Sequence, residues 1–225
     1  MKRNGFVRHA SLAILLFGCF VPLAALGETP ASQVVWQHVG RIYVNPNTGR
    51  AIYAGYLVHI YGISSSLFDG DPSEKTARFT FSTDVLQLTP LPNNADIALD
   101  LVSAGTFSVY YHASPDGDWS DPRTFADGQL IATFQRQESL FPIIGPLGLH
   151  SLSERLLSSQ DFIFSGQTFN FNRIAPHGIT FPQFFSSNPI IGAGFGDYSV
   201  VFPSAGAGAV VAIGSKTSAL GPSAM

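Results

Sequence analysis

Cysteine is almost absent from this sequence, since Cys19 is the only one among 225 residues. A single thiol cannot form a disulfide within the chain or supply a cluster of thiolate metal ligands. Cys19 also lies in an N-terminal segment that we expect to be removed, which would exclude a cysteine nucleophile as well. The mature chain therefore depends on a hydrophobic core, for which about 198 residues are ample.

Charged residues are also scarce, at 12% of the chain. Without Lys2, Arg3 and Arg8 of the N-terminal segment, nine basic residues remain against fifteen acidic ones, a net charge of −6. The basic residues are scattered singly, so no cluster could neutralise a run of phosphates. This pattern argues against a nucleic-acid partner and against attraction to anionic membrane surfaces.

The common catalytic and cofactor-binding motifs are missing. The sequence contains no HExxH zinc motif, no Gly-x-Ser-x-Gly elbow, no Ser-x-x-Lys set, no phosphate-binding glycine loop and no dinucleotide fingerprint. No two histidines of the mature chain are close enough in sequence to suggest a metal pair. These histidines are His38, His59, His112, His150 and His177. We therefore predict neither a cofactor nor a metal site, although a β-scaffold can bring distant histidines together.

Two acidic segments have carboxylates that could supply calcium ligands. The first contains Asp69, Asp71 and Glu74, and the second contains Asp116, Asp118 and Asp121. Their spacing does not match an EF-hand loop, and the Asp-Gly and Asp-Pro pairs within them are typical of turns. We favour turns over calcium sites.

The N-terminus has the three parts of a secretory signal peptide. A basic start precedes an apolar stretch from about Leu12 to Leu26, and Ala25 and Gly27 supply the small residues that a signal peptidase recognises. A membrane anchor is the alternative, but the apolar stretch is short for a bilayer span and Pro22 interrupts it. We predict a signal peptide at 1–27, a β-barrel domain at 28–214 and a disordered tail at 215–225. The protein would then be secreted or periplasmic, with no stable membrane span after cleavage.

Residues 50–63 form the longest stretch with the composition of a β-strand. The stretch is rich in Tyr, Ile and Val, and no Pro, Asp or Asn interrupts it. Period-two alternation predicts one almost wholly apolar face and one apolar face with three polar tips, at Tyr53, His59 and Tyr61. A strand that is apolar on both faces belongs in a closed barrel or a sandwich, with one face inward and the other covered.

The turn-forming residues 45–49 join this central strand to a first strand at 34–44, which predicts a β-hairpin. If Val44 pairs with Arg50, then Arg41 lies opposite Tyr53. A slip of one residue would change every such assignment.

Further short strands alternate with turns along the rest of the chain. We predict strands at 75–85, 96–102, 106–112, 129–138, 161–164, 168–174, 197–202 and 209–214, of which the second and third form a hairpin. A capping-box pattern at 151–154 predicts the start of one or two turns of helix, and 175–196 is expected to be mostly loop. No segment has a helical period of ordinary length. The sequence thus predicts an all-β fold, a single antiparallel β-barrel of about eight strands, with a β-sandwich as the alternative.

The polar tips of the central strand are the main candidates for a ligand-binding site. The phenol and imidazole groups of Tyr53, His59 and Tyr61 could hydrogen-bond a ligand carbonyl or transfer a proton inside an apolar cavity. The alternative is that the hydroxyls reach the strand ends and that His59 is a satisfied core residue.

Two arginines are weaker candidates. Arg78 is included as a donor for a carboxylate ligand, with an outward-facing surface cation as the alternative. Arg136 and Glu138 are expected to pair near a barrel rim, where an exposed pair adds little stability.

Three short segments resemble those of a known group of proteins. They are Gly-Arg-Ala at 49–51, which leads into a tyrosine-containing strand, Phe-Thr-Phe at 79–81 and Ala-Gly-Thr-Phe at 104–107. In these segments the chain resembles dirigent and allene oxide cyclase-type barrels. The resemblance implies an exported or plastid eight-stranded barrel that steers the coupling or cyclisation of apolar molecules. The fuller glycine-rich signature of these families is missing, and no catalytic residue is carried over to this chain.

Three functions remain open at this point. The leading hypothesis is an exported β-barrel that binds an apolar small molecule in its cavity, an inference by analogy because fold alone does not determine function. The second is a cofactor-free cyclase or isomerase that uses the polar tips as acid and base groups. The third is a non-enzymatic structural protein whose apolar outer face is buried in a homo-oligomer.

Overall fold

Thirteen β-strands make up most of the structure, a computed structural model that describes residues 29–87, 89–90, 97–99, 105–144 and 147–210. In chain order they are β1 (Val34–Val44), β2 (Arg50–Ile60), β3 (Phe79–Thr83), β4 (Leu86–Gln87), β5 (Thr89–Pro90), β6 (Ile97–Leu99), β7 (Thr106–Tyr111), β8 (Gln129–Ile144), β9 (Leu147–Ser159), β10 (Phe162–Phe164), β11 (Gln167–Phe169), β12 (Ile179–Ser186) and β13 (Val200–Val210). The helical elements of these residues are α1 (Phe171–Ile174) and two 3-10 turns, Glu74–Thr76 and Pro122–Phe125. None of the described helices is long and apolar enough to cross a membrane. The predicted signal peptide and C-terminal tail lie outside the described residues.

Eight of these strands close into an antiparallel barrel, which confirms the predicted all-β single barrel. Hydrogen-bonded neighbours follow the order β1, β2, β3, β7, β8, β9, β12 and β13, and β13 pairs back onto β1. Three short strands extend the sheet beyond the eight barrel strands. Of these, β4 pairs with β2, β5 pairs with β6, and β6 pairs with the C-terminal end of β8. Closure satisfies the edge hydrogen bonds that an open sheet would expose.

The central strand β2 is buried on both faces, as its composition indicates. Ala51, Tyr53 and Leu57 point into the barrel and are at most 3% exposed. On the outer face Ala54 is also fully buried. It belongs to a second apolar cluster with Tyr43, Phe125 and Val201, against which partly buried side chains pack, among them Trp119, Ile190, Ala193, Phe195 and Tyr198. The covered outer face explains why the strand is apolar on both sides.

The predicted hairpin of β1 and β2 is confirmed, but its register differs by one residue from the prediction. The Arg50 carbonyl accepts a hydrogen bond from the Asn45 amide at 2.8 Å, so Arg50 closes the turn. Val44 consequently pairs with Ala51. Every other expected partner in the first half of the hairpin is displaced in the same way.

A β-bulge in β2 breaks the alternation that the sequence prediction assumed. Gln37 pairs with His59 and His38 with Leu57, which leaves Val58 as the extra residue of β2. The bulge places Val58 and His59 at exposed positions, whereas Leu57 and Ile60 on either side of them are buried in the core. The prediction that the three polar tips share one face is wrong for this reason.

Residues 151–154 do not form the predicted helix. They lie within β9, which pairs with β8 on one side and β12 on the other. Alternate residues of β9 are buried, namely Gly148, His150, Leu152 and Glu154. The capping-box pattern is local, and pairing with two neighbouring strands outweighs it.

Three further strand assignments change. The segment 175–196, predicted as mostly loop, contains β12. Strands were predicted at 197–202 and 209–214, but Val200–Val210 form the single strand β13, and residues 211–214 lie outside the described part of the chain. The strand β6 pairs with β8 and not with β7, so the hairpin predicted between them is wrong. Pro182 lies inside β12 and Pro203 lies inside β13. Because proline is typical of turns and rare in strands, these two prolines made both segments resemble turns in the sequence.

Aromatic side chains fill one end of the barrel. Trp36 is fully buried, stacks on Phe107 with ring centroids 5.7 Å apart, and meets the rings of Phe134 and Phe171 edge-on. We call the rings supplied by α1 and the β10–β11 hairpin the aromatic plug, which consists of Phe162, Phe164, Phe169 and Phe171. The plug covers the end of the barrel where β1 begins and β2 ends.

Two glycines give the aromatic rings room inside the barrel. Gly40 and Gly55 are direct cross-strand partners. A Cβ atom at Gly40 would lie 2.5 Å from the Tyr53 ring, and one at Gly55 would lie 2.1 Å from the Val39 carbonyl oxygen and 2.9 Å from the Phe81 ring. Because the obstruction at Gly55 is partly backbone, rotation of a side chain cannot relieve it.

Gly55→Ala is expected to destabilise the barrel by about 3 kcal/mol, because the added methyl group overpacks the β1–β2 pair. Urea unfolding of both proteins measures this difference. Gly105→Ala is the matched control, since its Cβ would lie 3.5 Å from Arg136, an ordinary contact. An unchanged midpoint for Gly55→Ala would show that β1 and β2 do not need this close approach.

Candidate functional site

Five polar side chains from four strands point into the half of the barrel opposite the aromatic plug. We call them the interior cluster, and they are Tyr53 of β2, Arg136 of β8, His150 and Glu154 of β9, and Gln183 of β12. Each is at most 3% exposed. Burying such groups is unfavourable unless each finds a partner, which makes the cluster the first place to look for a function.

The pairing of β9 with both of its neighbours brings the interior cluster together. Arg136 is the cross-strand partner of Glu154 in the β8–β9 pair, and Gln183 is the partner of His150 in the β9–β12 pair. His150 and Glu154 are four residues apart on one strand and so share its inward face. A β-bulge follows Arg136 in β8, a feature that often re-aims side chains next to functional groups.

A small cavity lies among these side chains. Its volume is about 10 Å³, which is the space that about one water molecule needs. The interior cluster lines the cavity together with Thr83 and five apolar residues, Ile42, Ala51, Leu86, Phe107 and Leu152. Apolar walls with a few convergent polar groups are typical of small-molecule sites.

The carboxyl group of Glu154 is the most unusual member of the cluster. Neither of its oxygens has a hydrogen-bond partner among the described residues. The nearest cationic atom, Arg136 Nε, lies 3.9 Å from Oε1, which is beyond hydrogen-bond distance. Burial raises the pKa of Glu154 to about 8, although the charge of Arg136 acts to lower it. At neutral pH the group is therefore mostly protonated and can donate its O–H to an acceptor in the cavity.

Gln183 offers the cavity a hydrogen-bond acceptor, whereas protonated Glu154 offers a donor. The Ser204 hydroxyl donates to the Phe184 carbonyl at 2.8 Å, so it accepts the hydrogen bond from Gln183 Nε2 at 2.7 Å. This chain sets the orientation of the amide. Gln183 Oε1 has no hydrogen-bond partner among the described residues, so it can accept a hydrogen bond from a hydroxyl group in the cavity.

Burial also favours the neutral forms of Tyr53, His150 and His38. It raises the pKa of Tyr53 above its usual value. It lowers the pKa of His150 well below the usual value, and the charge of Arg136 acts in the same direction. Burial likewise lowers the pKa of His38 to about 3, a residue that meets the Tyr53 ring edge-on at 5.8 Å. A protonated carboxyl and a neutral imidazole in one site form an acid and a base.

Of the four residues predicted to bind a ligand, the structure places only Tyr53 among the described lining of the cavity. His59 lies on the outside because of the bulge, and Tyr61, at 36% exposure, follows the end of β2. Arg78 Nη2 lies 3.0 Å from Asp69 Oδ1, and Nη1 donates to a loop carbonyl at 2.6 Å. The four residues therefore do not form one site.

The other members of the interior cluster were not predicted from the sequence as site residues. Arg136 was expected to pair with Glu138, whose side chain lies outside the described part of the structure, and Glu154 Oε1 was not foreseen as the carboxylate oxygen 3.9 Å from Arg136 Nε. His150 and Glu154 fell in a segment that was interpreted as turn and helix. The signal that could have found them is the inward alternation of His150, Leu152 and Glu154, which is visible once the segment is treated as a strand.

Comparison with known proteins found no matching family model, no matching curated protein and no matching solved structure. The interior cluster is therefore interpreted from its own chemistry.

Glu154→Gln is expected to remove a pH dependence of stability. The pKa of Glu154 is about 8 in the folded protein and about 4.3 in an unfolded chain, so between these values the folded state holds a proton that the unfolded state releases. The free energy of unfolding therefore falls as pH rises through this window, by up to about 1.4 kcal/mol per pH unit. Denaturant unfolding at pH 7 and pH 8 should show a loss of roughly 1 kcal/mol in the wild type and none in the variant.

Measuring above pH 7 separates the contribution of Glu154 from that of the buried histidines. Those histidines lower the stability of the fold only below about pH 6.5, where the unfolded chain binds protons. Glu74→Gln, at a half-buried glutamate outside the barrel wall, should keep the wild-type slope. If Glu154→Gln also keeps that slope, Glu154 does not have a raised pKa.

Proposed function

We propose that the protein is an exported β-barrel that binds a small, mainly apolar molecule through one oxygen-bearing group of that molecule. The observation that supports this most is the buried carboxyl of Glu154, which lines the cavity with neither oxygen hydrogen-bonded within the described chain. Buried polar groups in native proteins nearly always have partners. A carbonyl or hydroxyl group of a ligand would be such a partner for Glu154.

The lining residues favour a ligand with a carbonyl group next to a hydrocarbon part. Protonated Glu154 supplies a donor for the carbonyl oxygen, and the charge of Arg136, in the same lining, favours an electron-rich oxygen. The hydrocarbon part would contact the apolar walls formed by Ile42, Leu86 and Phe107. A hydroxyl group on the ligand could in addition donate to Gln183 Oε1.

Binding requires part of the wall to move, because the cavity of about 10 Å³ is smaller than any such ligand. Leu86 is the lining residue that we expect to move. It belongs to β4, a two-residue strand whose described pairing is with Arg50 and Ala51 of β2. Segments with so few backbone hydrogen bonds open at low free-energy cost. Displacement of Leu86 would extend the cavity beside Ala51.

Ligand retention tests the proposal. The purified protein is incubated with a lipid or pigment extract, washed, and analysed for bound compounds by mass spectrometry. We expect the wild type to retain a carbonyl compound and Ala51→Val to retain roughly tenfold less or none, since Ala51 is fully buried and lines the cavity, which the added methyl groups would fill. Ala113→Val, the same change at an exposed position, should retain as much as the wild type.

The outcomes of this experiment are distinct. A wild type that retains nothing, or an Ala51→Val variant that retains as much as the wild type, would contradict binding in this cavity. Recovery of an isomer of the added compound would instead indicate a cofactor-free isomerase, in which Glu154 and His150 act as acid and base.

Export is tested separately by the N-terminus of the mature protein. Expression of the complete sequence in a bacterial host with a Sec pathway should give a protein whose first residue is Glu28, as shown by N-terminal sequencing. Replacing Ala25 and Gly27 by bulky residues should prevent cleavage, because the peptidase accepts only small residues there. An unprocessed wild-type chain would contradict the proposed signal peptide.

A further inference from the structure

A second polar cluster lies outside the barrel interior, where β7 ends and β8 begins. His112 directly follows β7, Asp116 lies in the loop after it, and Asp127 precedes β8. Because Tyr111 pairs with Gln129, the two ends of this loop meet at one edge of the barrel. One nitrogen of His112 and one oxygen of each aspartate all lie within 4.8 Å of one another.

A buried hydrogen-bond chain determines which nitrogen of His112 carries the proton. The Thr80 hydroxyl lies 2.7 Å from the Phe125 carbonyl, to which it donates because a carbonyl can only accept. The same hydroxyl lies 2.9 Å from His112 Nε2 and so accepts a hydrogen bond from it. In the neutral ring the proton is therefore on Nε2, and the lone pair is on Nδ1.

The Nδ1 lone pair faces two carboxylates. Asp116 Oδ1 is 3.8 Å from Nδ1 and Asp127 Oδ1 is 3.6 Å from it, and both distances are too long for hydrogen bonds. His112 is only 5% exposed, whereas the side chains of Asp116 and Asp127 are 60% and 54% exposed. Burial lowers the pKa of His112 against the raising effect of the two aspartates. A lone pair and two negative groups repel one another unless a cation lies between them.

We propose that His112, Asp116 and Asp127 bind a divalent cation of the zinc type. Two ligands of a tetrahedral zinc ion, each at about 2.0–2.1 Å, lie about 3.3 Å apart. The separations of 3.6 and 3.8 Å exceed this by a few tenths of an ångström, and both aspartates are more than half exposed and can move by that amount. Three protein ligands leave a fourth position for water or an anion. Thr80 would be the outer partner that orients the imidazole.

The imidazole ligand distinguishes this site from the acidic turns near it. Asp118 accepts hydrogen bonds from the amide and hydroxyl of Ser120, and Asp121 pairs with Arg123 at 2.6 Å. Those carboxylates are used by the turns themselves. Calcium and magnesium prefer all-oxygen sites, whereas an imidazole nitrogen suits zinc and similar transition metals.

Calorimetric titration of the chelator-treated protein with zinc chloride tests the proposal. We expect the wild type to bind one zinc ion per chain. Asp127→Asn should bind zinc with an affinity at least roughly tenfold lower, and the double variant Asp116→Asn/Asp127→Asn should show no measurable binding. Asp197→Asn removes an exposed aspartate elsewhere on the surface and should bind zinc like the wild type. Magnesium and calcium should bind at least about tenfold more weakly than zinc.

A wild type that does not bind zinc would overturn the proposal. Equal zinc binding by the double variant would also overturn it, because the ion would then be held elsewhere, for instance by the exposed residues His59 or His177. Nitrogen NMR of the imidazoles tests the assignment without any substitution. Zinc should shift the His112 Nδ1 resonance and leave Nε2 protonated, and a His112 spectrum unchanged by zinc would contradict the site.

Discussion

Closure of the barrel by the β1–β13 pair is the constraint on which the rest of the structure depends. Once β13 pairs with β1, every one of the eight strands has two neighbours, and each of its residues must point either into the barrel or out of it. An inward polar residue then has no strand edge from which to reach water. Glu154 is 2% exposed for this reason, and the burial that raises its pKa is a consequence of topology more than of any single neighbour.

Closure also fixes the volume of the interior, which the aromatic side chains of one half and the polar side chains of the other must share. An eight-stranded barrel is just wide enough to be filled by its own side chains. Near the aromatic plug, Trp36 stacks on Phe107, and the paired glycines Gly40 and Gly55 leave room for the Phe81 ring that stacks on Phe107. In the other half the cluster around Glu154 leaves a cavity of about 10 Å³. The polar groups thus lie where the aromatic packing stops.

The class of fold and the two-sided burial of β2 could be predicted from the sequence, because both follow from composition and a period of two. The remaining features depend on partners that are distant in sequence. The bulge at Val58 exists only in the pairing with β1, and β9 was hidden because its Ser and Glu residues also fit the start of a helix. Arg136 and Glu154 meet across a hairpin, so no local spacing connects them. Of the predicted site, only Tyr53 lines the described cavity for the same reason.

The buried carboxyl of Glu154 is a poor source of stability, and this is the strongest physical reason to associate the interior cluster with function. Buried ion pairs can often be replaced by apolar side chains of similar volume with no loss of stability. Here Glu154 is 3.9 Å from Arg136 and lacks hydrogen bonds among the described residues, so its burial is compensated even less than in a well-formed pair. Replacing Arg136 and Glu154 together by apolar side chains would remove that cost, whereas removing Glu154 alone would leave the Arg136 charge buried without this carboxylate. Groups that oppose stability in this way are concentrated where a protein binds or transforms a ligand.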